Sequence, residues 1–147
     1  EVRSLEVHKV LIDSIKKCQD HRPPPSLRLE NKYLKVDADQ DYLTMILANI
    51  IKNAQEATAD TGFVDVTLRA DGRNTIITVE DNGAGMDKDF VTNRLFKPFD
   101  TTKSGKGMGI GVYQTREFIE NLGGTVEVES IVDEGTIFTI SIPANAL

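Results

Sequence analysis

The chain has a single cysteine, no apolar run of membrane-crossing length and no surplus of positive charge, and each shortage removes a class of protein. Cys18 alone cannot close an internal disulfide, so the chain is not stapled like a small secreted domain, and a reducing, cytoplasmic compartment is expected. A membrane helix needs about 20 consecutive apolar residues, which rules out direct membrane insertion through such a segment. With 17 Lys and Arg against 23 Asp and Glu the formal net charge is -6. That balance excludes a surface built to hold nucleic acid or an anionic membrane by bulk electrostatics, so any phosphate must be bound locally. Internal repeats and low-complexity stretches are also missing. The first residue is Glu1, with neither an initiator Met nor a secretion signal, and the expectation is a piece cut from a longer protein.

What is there suits one compact domain over residues 1–147, since a chain of this size can bury roughly two-thirds of its unfolded surface. Val7, Val10, Leu11, Ser14, Ile15 and Cys18 form one face of an amphipathic helix, which the run His21 to Pro25 stops. Leu27 to Glu30 and Tyr33 to Val36 alternate like two short strands about an Asn31-Lys32 turn. Asp37 or Asp39 can cap a long helix to about Ala59, with Leu43, Leu47, Ile50 and Ala54 in its apolar stripe and Ile46, Ile51 and Ala57 widening it. Val64 to Leu68 and Ile76 to Val79 alternate around Asp71-Gly72-Arg73 as an antiparallel hairpin. A helix over roughly 108–121 stops at Gly123-Gly124, and two strands, Thr125 to Ser130 and Thr136 to Ile142, close the chain. Helices covering one face of a mixed, mainly antiparallel sheet make an α+β two-layer sandwich.

Four segments carry chemistry. Asn49 and Asn53 fall on one side of the long helix beside Glu56, about a quarter-turn from the apolar stripe. An Asn carbonyl is a neutral oxygen ligand suited to Mg²⁺, although polar residues four apart are also what the wet side of any amphipathic helix shows. Asp81 ends an apolar strand, and Gly83 and Gly85 after it remove side chains that would block a flat ligand. A carboxylate there can accept the exocyclic amine of adenine, while Asp-Asn-Gly is equally ordinary turn chemistry. Gly105, Gly107, Gly109 and Gly111 alternate into a helical pattern, and bare N–H groups at a helix start cradle phosphate. This is neither a Walker A loop nor the dinucleotide fingerprint. Between the glycine runs, Asp87 to Ser104 behaves like a lid hinged at both ends, pinned by Phe96 and Phe99, with Lys97, Lys103 or Lys106 able to meet phosphate.

Together these segments resemble the catalytic and ATP-binding domain of sensor histidine kinases, in the GHKL superfamily that also holds gyrase, Hsp90 and MutL ATPases. Leu47 to Ala54 is similar to that family's N box, Asp81 to Gly85 to its G1 box, Phe96 to Phe99 to its F box and Gly105 to Gly111 to its G2 box. The resemblance implies the Bergerat sandwich, with ATP and Mg²⁺ bound. It implies that Asn53 coordinates the metal with support from Asn49, and that Asp81 reads the adenine amine. Gly107, Met108, Gly109 and Ile110 donate to phosphates, and Thr136 helps solvate the adenine edge. Gly83, Gly85, Met86 and Ile110 border the base, and Thr102, Lys103, Gly105 and Lys106 lie about the phosphate tail. Lys106 stands where the family usually has Thr, and is expected to contact the β- or γ-phosphate. Phe99 to Lys103 with Met108 to Tyr113 and Arg116-Glu117 look most like kinases associated with exopolysaccharide and PEP-CTERM protein sorting, the PrsK type.

The implied reaction is transfer of the γ-phosphate to a histidine. In hydrolysing relatives a Glu one turn before the metal-binding Asn activates water, and here that position is Asn49, whose amide cannot take the proton. His8 lacks the acidic and proline context of a phosphoacceptor and is expected on the polar side of its helix; His21 precedes a proline run. The acceptor is therefore expected on a separate dimerisation domain of the same parent, with a response regulator engaged indirectly. That parent would be a two-component sensor kinase, of which this chain is a cytosolic portion. A GHKL-type ATPase and an anti-sigma-type serine kinase are the alternatives on the same fold.

Overall fold

The computed structural model describes residues 1–97 and 111–145. In chain order the elements are β1 (Val2–Glu6), α1 (Val7–Lys16), β2 (Pro25–Leu29), β3 (Lys35–Asp39), α2 (Gln40–Glu56), β4 (Val64–Asp71), β5 (Asn74–Asp81), α3 (Lys88–Asn93), α4 (Val112–Asn121), β6 (Thr125–Ile131) and β7 (Gly135–Pro143). Among the described residues five strands form a sheet in the order β2-β4-β5-β7-β6, with β2 parallel to β4 and the other neighbours antiparallel. The expected α+β sandwich, with helices against a mixed and mainly antiparallel sheet, is what forms.

Local chemistry accounts for the elements. Asp39 caps α2 by accepting from Tyr42 N at 2.9 Å, satisfying one of the orphan donors of the first turn. No Pro or Gly interrupts the helix, and Leu43, Ile46, Leu47, Ile50, Ile51 and Ala54 bury its apolar stripe. Ala57, expected to widen that stripe, is instead the exposed C-cap, where the backbone leaves the helix. The β4–β5 hairpin turns through Gly72 at φ +62, a value glycine adopts without Cβ strain. Along β5 and β7 inward positions alternate with outward ones, so Ile77 and Val79 meet Phe138, Ile140 and α2 in one core. Each such fully buried Ile or Leu contributes roughly 1.5–3 kcal/mol.

Two further expectations need correction. The two short strands flanking Asn31-Lys32 do not pair with each other: β2 joins the main sheet beside β4, and β3 pairs antiparallel with β1 in a separate two-stranded ribbon. Alternation shows that a segment is a strand but not which partner it takes. His8 is buried, at 7% exposure, because the unanticipated ribbon packs beside the first turn of α1, where Val7 N donates to Leu34 O. The lid segment opens with α3, capped by Asp87 accepting from Phe90 N at 2.8 Å. Gly85, just before that segment, is held on both sides, as described below.

Candidate functional site

Three strands end on a polar rung. Asp81 of β5 stands opposite Thr136 of β7, which stands opposite Ser130 of β6. The neighbouring rung, Val79, Phe138 and Val128, is apolar and packs in or against the core, so the period of two puts Asp81, Thr136 and Ser130 on that same helix-facing side. Asp81 and Thr136 are 5% and 6% exposed, so the carboxylate is withdrawn from water. Burial pushes its pKa up from the ordinary carboxylate value, and the backbone N–H groups of Gly83 and Thr136, with the Thr58 hydroxyl beside the carboxylate, pull against that rise. Gly83 N lies 2.8 Å from Asp81 Oδ1. A carboxylate offers about four acceptor sites, so with these backbone donors in place Asp81 keeps room for another N–H.

The loop after Asp81 is clamped from both flanks. Ala84 N donates to Ala57 O at 2.9 Å and Phe63 N to Asn82 Oδ1 at 2.7 Å, joining the loop to the end of α2 and the turn beyond. On the other flank Asp133 N donates to Ala84 O at 2.7 Å and Met86 N to Ser130 Oγ at 2.7 Å. This close approach explains the glycines: a Cβ on Gly83 would collide with Ala57 O, and one on Gly85 with Ile131 O. Gly85 also needs φ +71. The space these glycines release is thus occupied by neighbouring backbone, and they shape the crevice by letting its walls approach.

Asn49, Asn53 and Glu56 form a gradient along α2: buried at 6% exposure, half-buried, and exposed. Asn53 lies one turn before Ala57, whose N donates to Asn53 O at 3.2 Å, and so adjoins the clamped loop. Near the start of α2, Tyr42 packs on Phe118 of α4 with ring centroids 4.7 Å apart. Gly124, just past α4, sits against Ser141 O, so α4 ends over the part of β7 remote from Thr136. Its N terminus, capped at Gly111, therefore points back toward the rung. An amide-bearing helix, an acceptor-lined rung and a helix start are gathered at one end of the sheet.

Residues 38–146 match the family model described as histidine kinase-, DNA gyrase B- and HSP90-like ATPase. The chain belongs to this family. It is accordingly an ATP-binding domain. The chain is 40% identical over 114 residues to sporulation kinase A of Bacillus subtilis, an alignment covering 78% of this chain and 18% of that protein. It is 35% identical over 111 residues to the sensor histidine kinase ZraS of Escherichia coli O157:H7, covering 76% of this chain and 24% of ZraS. The solved catalytic domain of histidine kinase ThkA superposes with a TM-score of 0.82 at 25% identity, covering 97% of this chain and 95% of that one. Another structure of ThkA, in complex with the response regulator protein TrrA, superposes at 0.79 with 22% identity, covering 98% of this chain and 42% of that one.

Of the residues expected to serve this ATPase-family site, Asn49, Asn53, Asp81, Gly83, Gly85, Met86 and Thr136 lie at the gathered end. Thr102, Lys103, Gly105, Lys106, Gly107, Met108, Gly109 and Ile110 fall outside the described residues, as does Phe99. Phe96 is seated under Arg116, whose Cζ lies 4.4 Å from the ring centroid. A cavity of about 630 Å³ between α3, α4 and the edge strand β6 is lined by Val91, Phe96, Arg116 and Glu129 among others, and by none of Asn49, Asn53, Asp81, Gly83 and Gly85. Sequence reasoning missed Thr58 and Ser130. Ser130 left a signal: it continues the inward series Val126, Val128 with a hydroxyl, a polar side chain at a core-facing position. Thr58 left none that separates it from any threonine closing a helix, where its hydroxyl donates to Ala54 O at 2.7 Å.

Proposed function

We propose that this chain is one domain of a longer sensor histidine kinase, in which it binds Mg-ATP and donates the γ-phosphate to a histidine on a separate dimerisation domain of the same parent. The observation that carries the nucleotide half is Asp81: an almost fully buried carboxylate, held by Gly83 and Thr136 and retaining acceptor capacity toward the crevice. A flat base with an amino edge satisfies it, and the half-buried Met86 supplies an apolar border. Asn53, half-buried at the rim, fits a magnesium ion, because a hard cation bound together with nucleotide phosphates asks few oxygen atoms of the protein. When bound, that ion supplies charge neutralisation for the phosphate tail. Asn49 supports Asn53 from one turn earlier. The G2 glycines with Lys106 are assigned to the phosphates, and Thr102 and Lys103 to the lid.

Asn49 carries the second half. Its amide stands where a water-activating carboxylate would be needed, so the residues present favour an acceptor that is itself a good nucleophile. In the transfer a histidine ring nitrogen forms the new P–N bond, the bond from the γ-phosphorus to the bridging oxygen breaks, and ADP leaves with that electron pair. The chain positions ATP for this attack. The parent would work on the cytoplasmic side, with a response regulator receiving the phosphoryl group afterwards, as the ThkA complex suggests by likeness. The test supplies γ-labelled ATP and a separate histidine-bearing helix-pair domain. Acid-labile label on that domain is expected, with little free phosphate in its absence. Multiple-turnover phosphate release without an acceptor would replace this reading with an ATPase, and acid-stable label on serine with a serine kinase.

A further inference from the structure

We propose that Ser130 fixes the proton direction of the Thr136 hydroxyl and so gives the base-binding end of the crevice its preference for a 6-amino over a 6-oxo purine. The inference rests on the reading that Asp81 meets the base edge. A hydroxyl has one proton to give and two lone pairs to receive. Ser130 Oγ has three neighbours: it accepts from Met86 N at 2.7 Å, lies 3.2 Å from Gly135 O and lies 2.7 Å from Thr136 Oγ1. A carbonyl oxygen cannot donate, so the Gly135 contact takes the Ser130 proton. The short Ser130–Thr136 contact must then use the proton of Thr136. The opposite order would set lone pairs of Ser130 against those of Gly135 O.

Thr136 is thereby left with lone pairs alone. It is 6% exposed, so free water cannot readily reverse the arrangement. Its partner across the rung is Asp81, also an acceptor when ionised. Two acceptors side by side suit an amino group, which carries two hydrogens, and oppose a carbonyl oxygen, which brings lone pairs against both. Ser130 acts here as a positioning residue, through Thr136. It also anchors the loop at Met86, but that contribution is common to all nucleotides and cancels in a ratio of affinities.

The experiment is calorimetric titration of the chain with Mg-ATP and Mg-ITP, which share sugar and phosphates and differ at the purine 6-position and in the hydrogen that N1 carries in ITP. Ser130→Ala frees the Thr136 proton to meet a 6-oxo group, and should narrow the ATP-to-ITP affinity ratio by about three- to tenfold, the worth of one neutral hydrogen bond. Ser130→Thr keeps the hydroxyl and should keep the ratio. Thr136→Val removes one of the two acceptors and should narrow it. An unchanged ratio in Ser130→Ala, an equal loss for both nucleotides, an unchanged ratio in Thr136→Val, or a narrowed ratio in Ser130→Thr would each overturn the proposal. Asp81→Asn separates it from the reading beneath: unchanged ATP affinity there removes the base contact altogether. A loss there with no ratio change in Ser130→Ala removes only the role of Ser130.

Discussion

Replacing Asp81 by Asn should move binding and stability in opposite directions. The carboxylate is 5% exposed, and its burial raises its pKa despite the backbone hydrogen bonds it receives. In the empty protein at neutral pH an ionised Asp81 therefore costs stability that a neutral isostere does not. An amide can still accept from Gly83 N through its oxygen, and its NH₂ can donate to Thr58 Oγ1, whose own proton goes to Ala54 O. Asp81→Asn should thus melt no lower than the parent at pH 7, while its affinity for ATP falls. A hydrogen bond to a charged group contributes about 1.5–3 kcal/mol, or roughly ten- to a hundredfold in Kd.

The pH dependence carries its own sign. A carboxyl whose folded pKa is raised binds protons more readily in the native state. It stabilises the fold fully below the unfolded value of about 3.9 and loses that contribution as pH climbs through the folded one. The melting advantage of Asp81→Asn should therefore be greatest at neutral pH and close as pH falls toward about 4. Titration calorimetry and melting curves over that range decide both parts. Unchanged ATP affinity would refute the base contact. A lower melting temperature at pH 7 that persists at acid pH would refute the cost of burying the charge.

Asn53→Ala should leave the circular dichroism spectrum intact, because the side chain is only half-buried, and should abolish the magnesium dependence of ATP binding; equal enhancement by magnesium in both proteins would remove Asn53 from the metal. Gly85→Ala forces a side chain onto a φ of +71 and into Ile131 O, and should lose more than about 1 kcal/mol of stability in denaturant titration, with ATP binding weakened through the distorted loop. Asp39→Ala removes the α2 cap and should lower the melting temperature at neutral pH. Hydrogen bonds from the Glu1 amino group and Tyr42 N hold the Asp39 carboxyl below its usual range. Its contribution should therefore be lost as pH falls through that lowered value, and the two melting curves should converge in acid.

Much of this protein was legible because the information was local. The 3.6 and 2.0 periods located α1, α2, β4, β5, β6 and β7, Asp39 announced the start of α2, and Gly72 marked a turn, each determined by residues next to one another in the chain. The candidate ligands Asn49, Asn53 and Asp81 were visible for the same reason, as amides one helical turn apart and a carboxylate closing an apolar strand. Pairing decided the rest. That β3 would leave β2 for β1, that His8 would lie covered, and that Gly83 and Gly85 would accommodate the backbone of Ala57 and Ile131 all depend on segments distant in sequence. The polar rung is the clearest case: a strand pattern states which residues share a face, but only the register across β5, β7 and β6 sets Asp81, Thr136 and Ser130 side by side. Register is settled by the joint burial of three strands against α2 and α4, an energy that belongs to the assembled core and to no segment of it.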